Sequence, residues 1–123
     1  MMFNENFSPC PDSPNCVSSR ADDAQHFIAP FIYRGTLSEV QSNLISILQS
    51  IPRTRLINIE RTYIQVEFTS ALFGFIDDAE FYFPENEKLI HVRSASRVGY
   101  YDFGVNRTRL ERIRKLLSAE SLP

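Results

Sequence analysis

A chain of 123 residues with 43% hydrophobic and 23% charged residues fits one globular domain, long enough to bury a core without a covalent staple. A formal net charge of -2 excludes a global attraction to nucleic acid or to an anionic membrane. No run approaches the roughly 18 apolar residues of a membrane span. The start, MMFNENFSPC, has neither the cationic nor the apolar region of a signal peptide, so a cytoplasmic location is expected.

Residues 1–25 read as an irregular arm that packs on the domain formed by residues 26–123. The arm holds three of the seven prolines, many Ser, Asn and Asp, and no apolar period. Its piece Cys10-Pro11-Asp12-Ser13-Pro14-Asn15-Cys16 is turn chemistry throughout. From His26 to Tyr33 runs a short apolar strand in which Pro30 removes a ladder donor, so an edge position or a bulge is predicted. Thr36 and Glu39 form a capping box, and Leu37, Val40, Leu44, Ile47, Leu48 and Ile51 make one helical stripe that Pro52 stops.

Period-2 alternation follows. Leu56 to Glu60 places Ile57 and Ile59 on one face, and Tyr63 to Thr69 places Ile64, Val66 and Phe68 there. Phe75 to Phe83 sets Phe75, Ala79, Phe81 and Phe83 against Asp78, Glu80 and Tyr82. Leu89 to Arg97 sets Ile90 and Val92 against His91, Arg93 and Arg97. A last helix, Val105 to Ala119, has Asn106 as its expected N-cap and buries Leu110, Ile113, Leu116 and Leu117. The order β-α-β-β-β-β-α with short loops predicts an α+β domain: an antiparallel sheet of four or five strands with two helices on one face.

The uncovered sheet face carries the chemistry. A turn centred near Asn86 sets Arg93 opposite Asp78 or Glu80 with His91 beside it, and Glu67 projects to the same side. Such an acid–arginine lattice is either plain cross-strand pairing or a surface on which Arg93 or Arg97 grips an anion. The glycine-flanked Gly99-Tyr100-Tyr101-Asp102-Phe103-Gly104 loop, with Asn106 and Arg107 behind it, is a second candidate. It can line a pocket at a helix start or simply fold onto the domain. Ser94 and Ser96 have core-side parity and read as packing residues.

The chain contains no Gly-rich phosphate loop, G-x-S-x-G elbow, H-E-x-x-H or C-x-x-C, which inclines the reading away from an enzyme. A binding or accessory module is the first expectation, its partner a small anionic ligand or a protein, without nucleic acid, cofactor or metal. Acid–base hydrolysis or elimination by a carboxylate with His91 is the rival. Thiol redox chemistry at Cys10 and Cys16 is the third reading; a disulfide there is sterically possible, but the lack of a signal argues for reduced thiols.

Three blocks carry a family resemblance: CPDSPNCVSS, FTSALFGFIDDAEF and IHVRSASRVGYYDFGVNRTRLERIR. Their content, order and spacing resemble the domain of unknown function (DUF) 1499 family of bacteria and plant plastids along the whole chain. The resemblance transfers no catalytic residue. It marks Cys10, Pro14, Asn15 and Cys16 in the arm, and Asp77, Asp78, Glu80, Arg93, Ser94, Ser96, Arg97, Gly99, Asp102, Gly104, Asn106 and Arg107 in the domain.

Overall fold

The computed structural model describes residues 7–120, so most of the start read as lacking a signal peptide lies outside the described residues. Strand β1 (Cys16–Ser18) is followed by β2 (Phe31–Ile32), helix α1 (Leu37–Ser50), β3 (Thr54–Glu60), β4 (Tyr63–Thr69), β5 (Ile76–Tyr82), β6 (Leu89–Ser96) and helix α2 (Val105–Glu120). The sheet is antiparallel with spatial order β1-β6-β5-β4-β3, and β2 also pairs with β6. Beyond β6, β1 takes Arg93 to Ala95 and β2 takes Leu89 and Ile90, so two short strands share one edge.

The expected class and element order hold, but the sheet has six strands rather than four or five. The extra strand comes from the arm: Cys16–Ser18 has no apolar period of its own and becomes extended only by pairing with β6. Conversely, the strand read over His26 to Tyr33 shrinks to Phe31–Ile32, joined by a lone parallel bridge from Phe27 to Ser18. Pro30 interrupts the ladder as expected.

The core lies between the helices and one sheet face. Ile64, Val66, Ala79, Phe81, Ile90 and Val92 from the strands meet Leu44, Leu48, Leu110 and Ile113 from the helices, all fully buried. Full burial of one such large side chain contributes about 2 kcal/mol. The Thr36 capping box forms as predicted.

Several positions differ from their reading in the sequence. A bulge between Leu56 and Asn58 turns Leu56 inward, while Ile57 and Ile59 stay exposed on an edge strand. Phe75 lies outside β5 and is exposed, and Asp77 takes the inward parity instead. Leu116 sits at the margin of the helix stripe and is part-exposed. Asn106 is the second residue of α2 rather than its N-cap.

Candidate functional site

The β5–β6 register puts Glu80 opposite Arg93 and Asp78 opposite Ala95, and β4 brings Glu67 opposite Asp78. Arg97, just past β6, reaches back across this face. Its Nη2 donates to Asp78 Oδ1 at 2.7 Å and to Glu67 Oε2 at 2.8 Å, and its Nε donates to Asp78 Oδ2 at 3.1 Å. The bonds to Asp78 and then Glu67 raise the Arg97 pKa further above its ordinary value. The side chain is 46% exposed, and solvent-screened pairs of this kind contribute roughly 0–1 kcal/mol.

Arg93 is more enclosed, with 13% of its side chain exposed. Its guanidinium lies 3.9 Å from Glu80 Oε2 and donates weakly to the Pro9 carbonyl at 3.4 Å. Its Nε is buried without a hydrogen-bond partner among the described residues. Tyr63 is buried on the same face and donates to Glu80 Oε1 at 2.8 Å. Burial, then the Glu80 bond, pushes the Tyr63 phenol well above its usual range. The arm therefore crosses the sheet face at Arg93 and leaves Arg97 to the solvent.

A second polar cluster lies on the helix side of the sheet. Asn106 is fully buried there. Its Nδ2 donates to Asp102 Oδ2 at 2.8 Å and Ser96 Oγ at 3.1 Å, with a longer contact to the Asn15 carbonyl at 3.4 Å. Its Oδ1 accepts from Ser94 Oγ at 2.5 Å and, at 3.5 Å, from Arg109 Nη1. Asn15 in turn donates to the Gly99 carbonyl at 2.8 Å and accepts from Ser13 Oγ. The Asp102 carboxylate accepts the amides of Gly104 and Asn106, serving the start of α2 in the role expected of Asn106. One asparagine thus ties the arm, β6, the glycine-flanked loop and α2 together.

Beside it, Arg109 donates to Asp77 Oδ2 at 2.9 Å and stacks 4.4 Å over the Phe68 ring. Alternation read from Phe75 placed an aromatic on this side and missed the ion pair. The spacing from Asn106 to Arg109, one helical turn, was the available signal.

His91 meets neither Asp78 nor Glu80. It lies across from Tyr82, and its Nδ1 is 2.9 Å from Ser19 Oγ, which accepts the Val92 amide and so donates its proton to the ring. Burial, then the charge of Arg20, lowers the His91 pKa and favours the neutral ring. His26 has the opposite environment: Nε2 faces the Ser13 carbonyl at 2.9 Å and Nδ1 faces Asp23 Oδ2 at 2.7 Å. Only an imidazolium donates to both. The Ser13 bond, then Asp23, raises the His26 pKa against the opposing effect of burial.

Both histidines therefore give pH-dependent stability, with opposite signs. The His26 contribution is complete below its unfolded value near 6.5 and is lost as pH rises through its higher folded value. The His91 contribution is complete above 6.5 and is lost as pH falls through its lower folded value. Melting curves across pH should show His26→Gln removing the alkaline loss and His91→Gln the acidic one. If neither variant changes the profile, these assignments are wrong.

Cys10 and Cys16 are joined in a disulfide with Cα atoms 5.7 Å apart rather than held as the reduced thiols expected, and Cys16 is buried. A cleft of about 390 Å³ beside it is lined by Phe7, Pro9, Ser18, Arg20 and Asp22 among others. Among the described residues no three His, Cys, Asp or Glu side chains converge as metal ligands.

Tyr100 and Tyr101 project outward, and Arg107 turns away to the Gln25 carbonyl at 3.1 Å. The Arg97 amide bonds the Ile76 carbonyl at 2.9 Å, so residues 70–75 and 98–104 emerge side by side at one end of the sheet. Leu72, Phe73, Tyr100, Tyr101 and Phe103 stand there at 62–82% exposure. Phe73 is 5.6 Å from Phe75 and Tyr101 is 4.8 Å from Phe103, centroid to centroid.

Fold and site together define a small α+β module with an arm clasped by a disulfide, an ion-paired sheet face and an apolar end. The chain belongs to the family described as protein of unknown function (DUF1499), whose model matches residues 6–117. A search of curated protein sequences finds no match. Among the described residues no helix is long and apolar enough to cross a membrane.

Proposed function

We propose that the domain is a non-enzymatic binding module whose contact surface is the apolar end of the sheet. The observation that carries this reading is the exposure of Leu72, Phe73, Tyr100, Tyr101 and Phe103 on two neighbouring loops. A contiguous exposed apolar patch on a small domain commonly marks an interaction site. The sheet face offers less to a ligand, because Asp78 and Glu67 already occupy Arg97, and the arm with Glu80 covers Arg93.

The acid–base rival finds His91 bonded to Ser19 rather than to a carboxylate. The thiol reading finds both sulfurs engaged with each other. That bond favours an oxidising compartment over the cytoplasm.

A photo-crosslinking residue at Tyr101 or, as a control, at exposed Ile32 tests the module reading in cells. Adducts at position 101 and none at 32 are expected. Absence of adducts at 101, or equal adducts at both, would overturn it.

A further inference from the structure

We propose that the free edge of β3 pairs antiparallel with β3 of a second copy of this chain, in a two-fold register that sets Arg55 opposite Glu60 and Leu56 opposite Ile59. The contact goes beyond the binding-module reading and is separate from the apolar end.

The edge is open. β3 ends the sheet, and among the described residues nothing pairs with its outer side. Its residues, Thr-Arg-Leu-Ile-Asn-Ile-Glu, include neither the proline nor the lysine that commonly protects an edge. Ile57 and Ile59 are 38% and 48% exposed there. Bonded and non-bonded pairs alternate along an antiparallel ladder. The Arg53 carbonyl accepts the Thr69 amide, so alternation leaves the amide and carbonyl of Leu56 pointing outward. The two-residue turn Arg61-Thr62 closes on a bonded Glu60–Tyr63 pair, which leaves those of Ile59 pointing outward as well. Strand addition uses such groups.

The bulge identifies the occupant. Between Leu56 and Ile59, β3 carries one residue more than β4 sets against it. Against a regular strand of another protein, the outward groups of Leu56 and Ile59 fall out of step. Against a second copy in this register, Ile57 of each strand meets Asn58 of the other. Each bulge then lies opposite its equal, and the outward groups of Leu56 meet those of Ile59. Centring the pair on Leu56 or on Ile59 instead would set each bulge against regular backbone.

The side chains agree with the same register. Cross-strand partners share a face. Arg55, opposite Glu67, and Glu60, opposite Tyr63, therefore lie on the open face of the sheet. Leu56 and Ile59, opposite Val66 and Ile64, lie on the helix face. The dimer joins cation to carboxylate on one face and apolar to apolar on the other, each twice by symmetry. Arg55 is exposed and has no ion-pair partner among the described residues, while Glu60 accepts a bond from the neutral Asn58 amide at 2.7 Å. The neighbouring charges are already matched, Arg61 with Glu85 and Glu67 with Arg97.

The test is sedimentation equilibrium of the full chain over a concentration series, with Arg55→Glu, Glu60→Arg and an equimolar mixture of the two variants. Wild type should associate to a dimer. Each variant alone sets like charges opposite each other twice and should raise the dissociation constant by at least about tenfold. The mixture restores both opposite-charge pairs and should form a heterodimer about as tight as the wild-type dimer, which a misfolded variant could not do. A monomeric wild type, variants that associate like wild type, or a mixture as weak as its components overturns the proposal. None of these results bears on crosslinking at position 101, so the module reading stands or falls separately.

Discussion

Replacing Asn106 with alanine is expected to lower the unfolding free energy by about 3 kcal/mol, and the melting temperature by roughly 10 °C. The side chain is fully buried and bonds Ser94, Ser96 and Asp102, with a longer contact to Asn15. Alanine leaves a buried serine hydroxyl and part of a carboxylate without partners, and each orphaned group costs about 1–3 kcal/mol. Asn106→Asp should cost more, because it places a second carboxylate where Nδ2 lay 2.8 Å from Asp102, and acid should relieve part of the loss. Denaturant unfolding measures both. A Ser94→Ala cycle should show that the two substitutions are not additive. If Asn106→Ala loses less than about 1 kcal/mol, the residue is not the tie between arm, strand, loop and helix.

Removing the disulfide is the second large effect. The bond closes a short loop, with a sequence separation of 6 between Cys10 and Cys16. The chain-entropy relation gives a loss of about 2 kcal/mol for Cys10→Ala with Cys16→Ala. The disulfide also holds Pro9, whose carbonyl contacts Arg93, and Asn15, whose carbonyl accepts the Ser96 amide. Reduction should therefore expose the Arg93 side of the sheet, read as faster limited proteolysis around residues 7–14. Equal stability and equal proteolysis with and without reductant would show that pairing through β1 holds the arm without the clasp.

Arg93 opposite Asp78 or Glu80 followed from alternation plus a turn near Asn86, because a period of two leaves few registers once one face is buried, and packing chose Glu80. The Thr36–Glu39 capping box is local chemistry within four residues and formed as read. The bulge at Ile57 was not legible, since an extra residue in an edge strand changes parity without any obligatory residue type. The exposed end was half legible. The Tyr100–Phe103 loop stood out, but Leu72 and Phe73 fell between the predicted strands without a reading of their own, and only the fold sets the two loops side by side.

The sequence by itself determined the α+β class, the order of the long elements, most core faces and the acid–arginine register to within two choices, because periodicity and capping act over a few residues. Tertiary structure alone decided what crosses large separations. Asn106 reaches Asn15 across 91 residues, Ser19 reaches His91 across 72, and Asp77 finds Arg109 across 32. Such contacts arise when separate elements pack and each buried polar group must find a partner, a requirement that names no partner in advance. For the same reason, which arginines are spent inside the molecule and which face outward was settled by the packing of arm, sheet and helix.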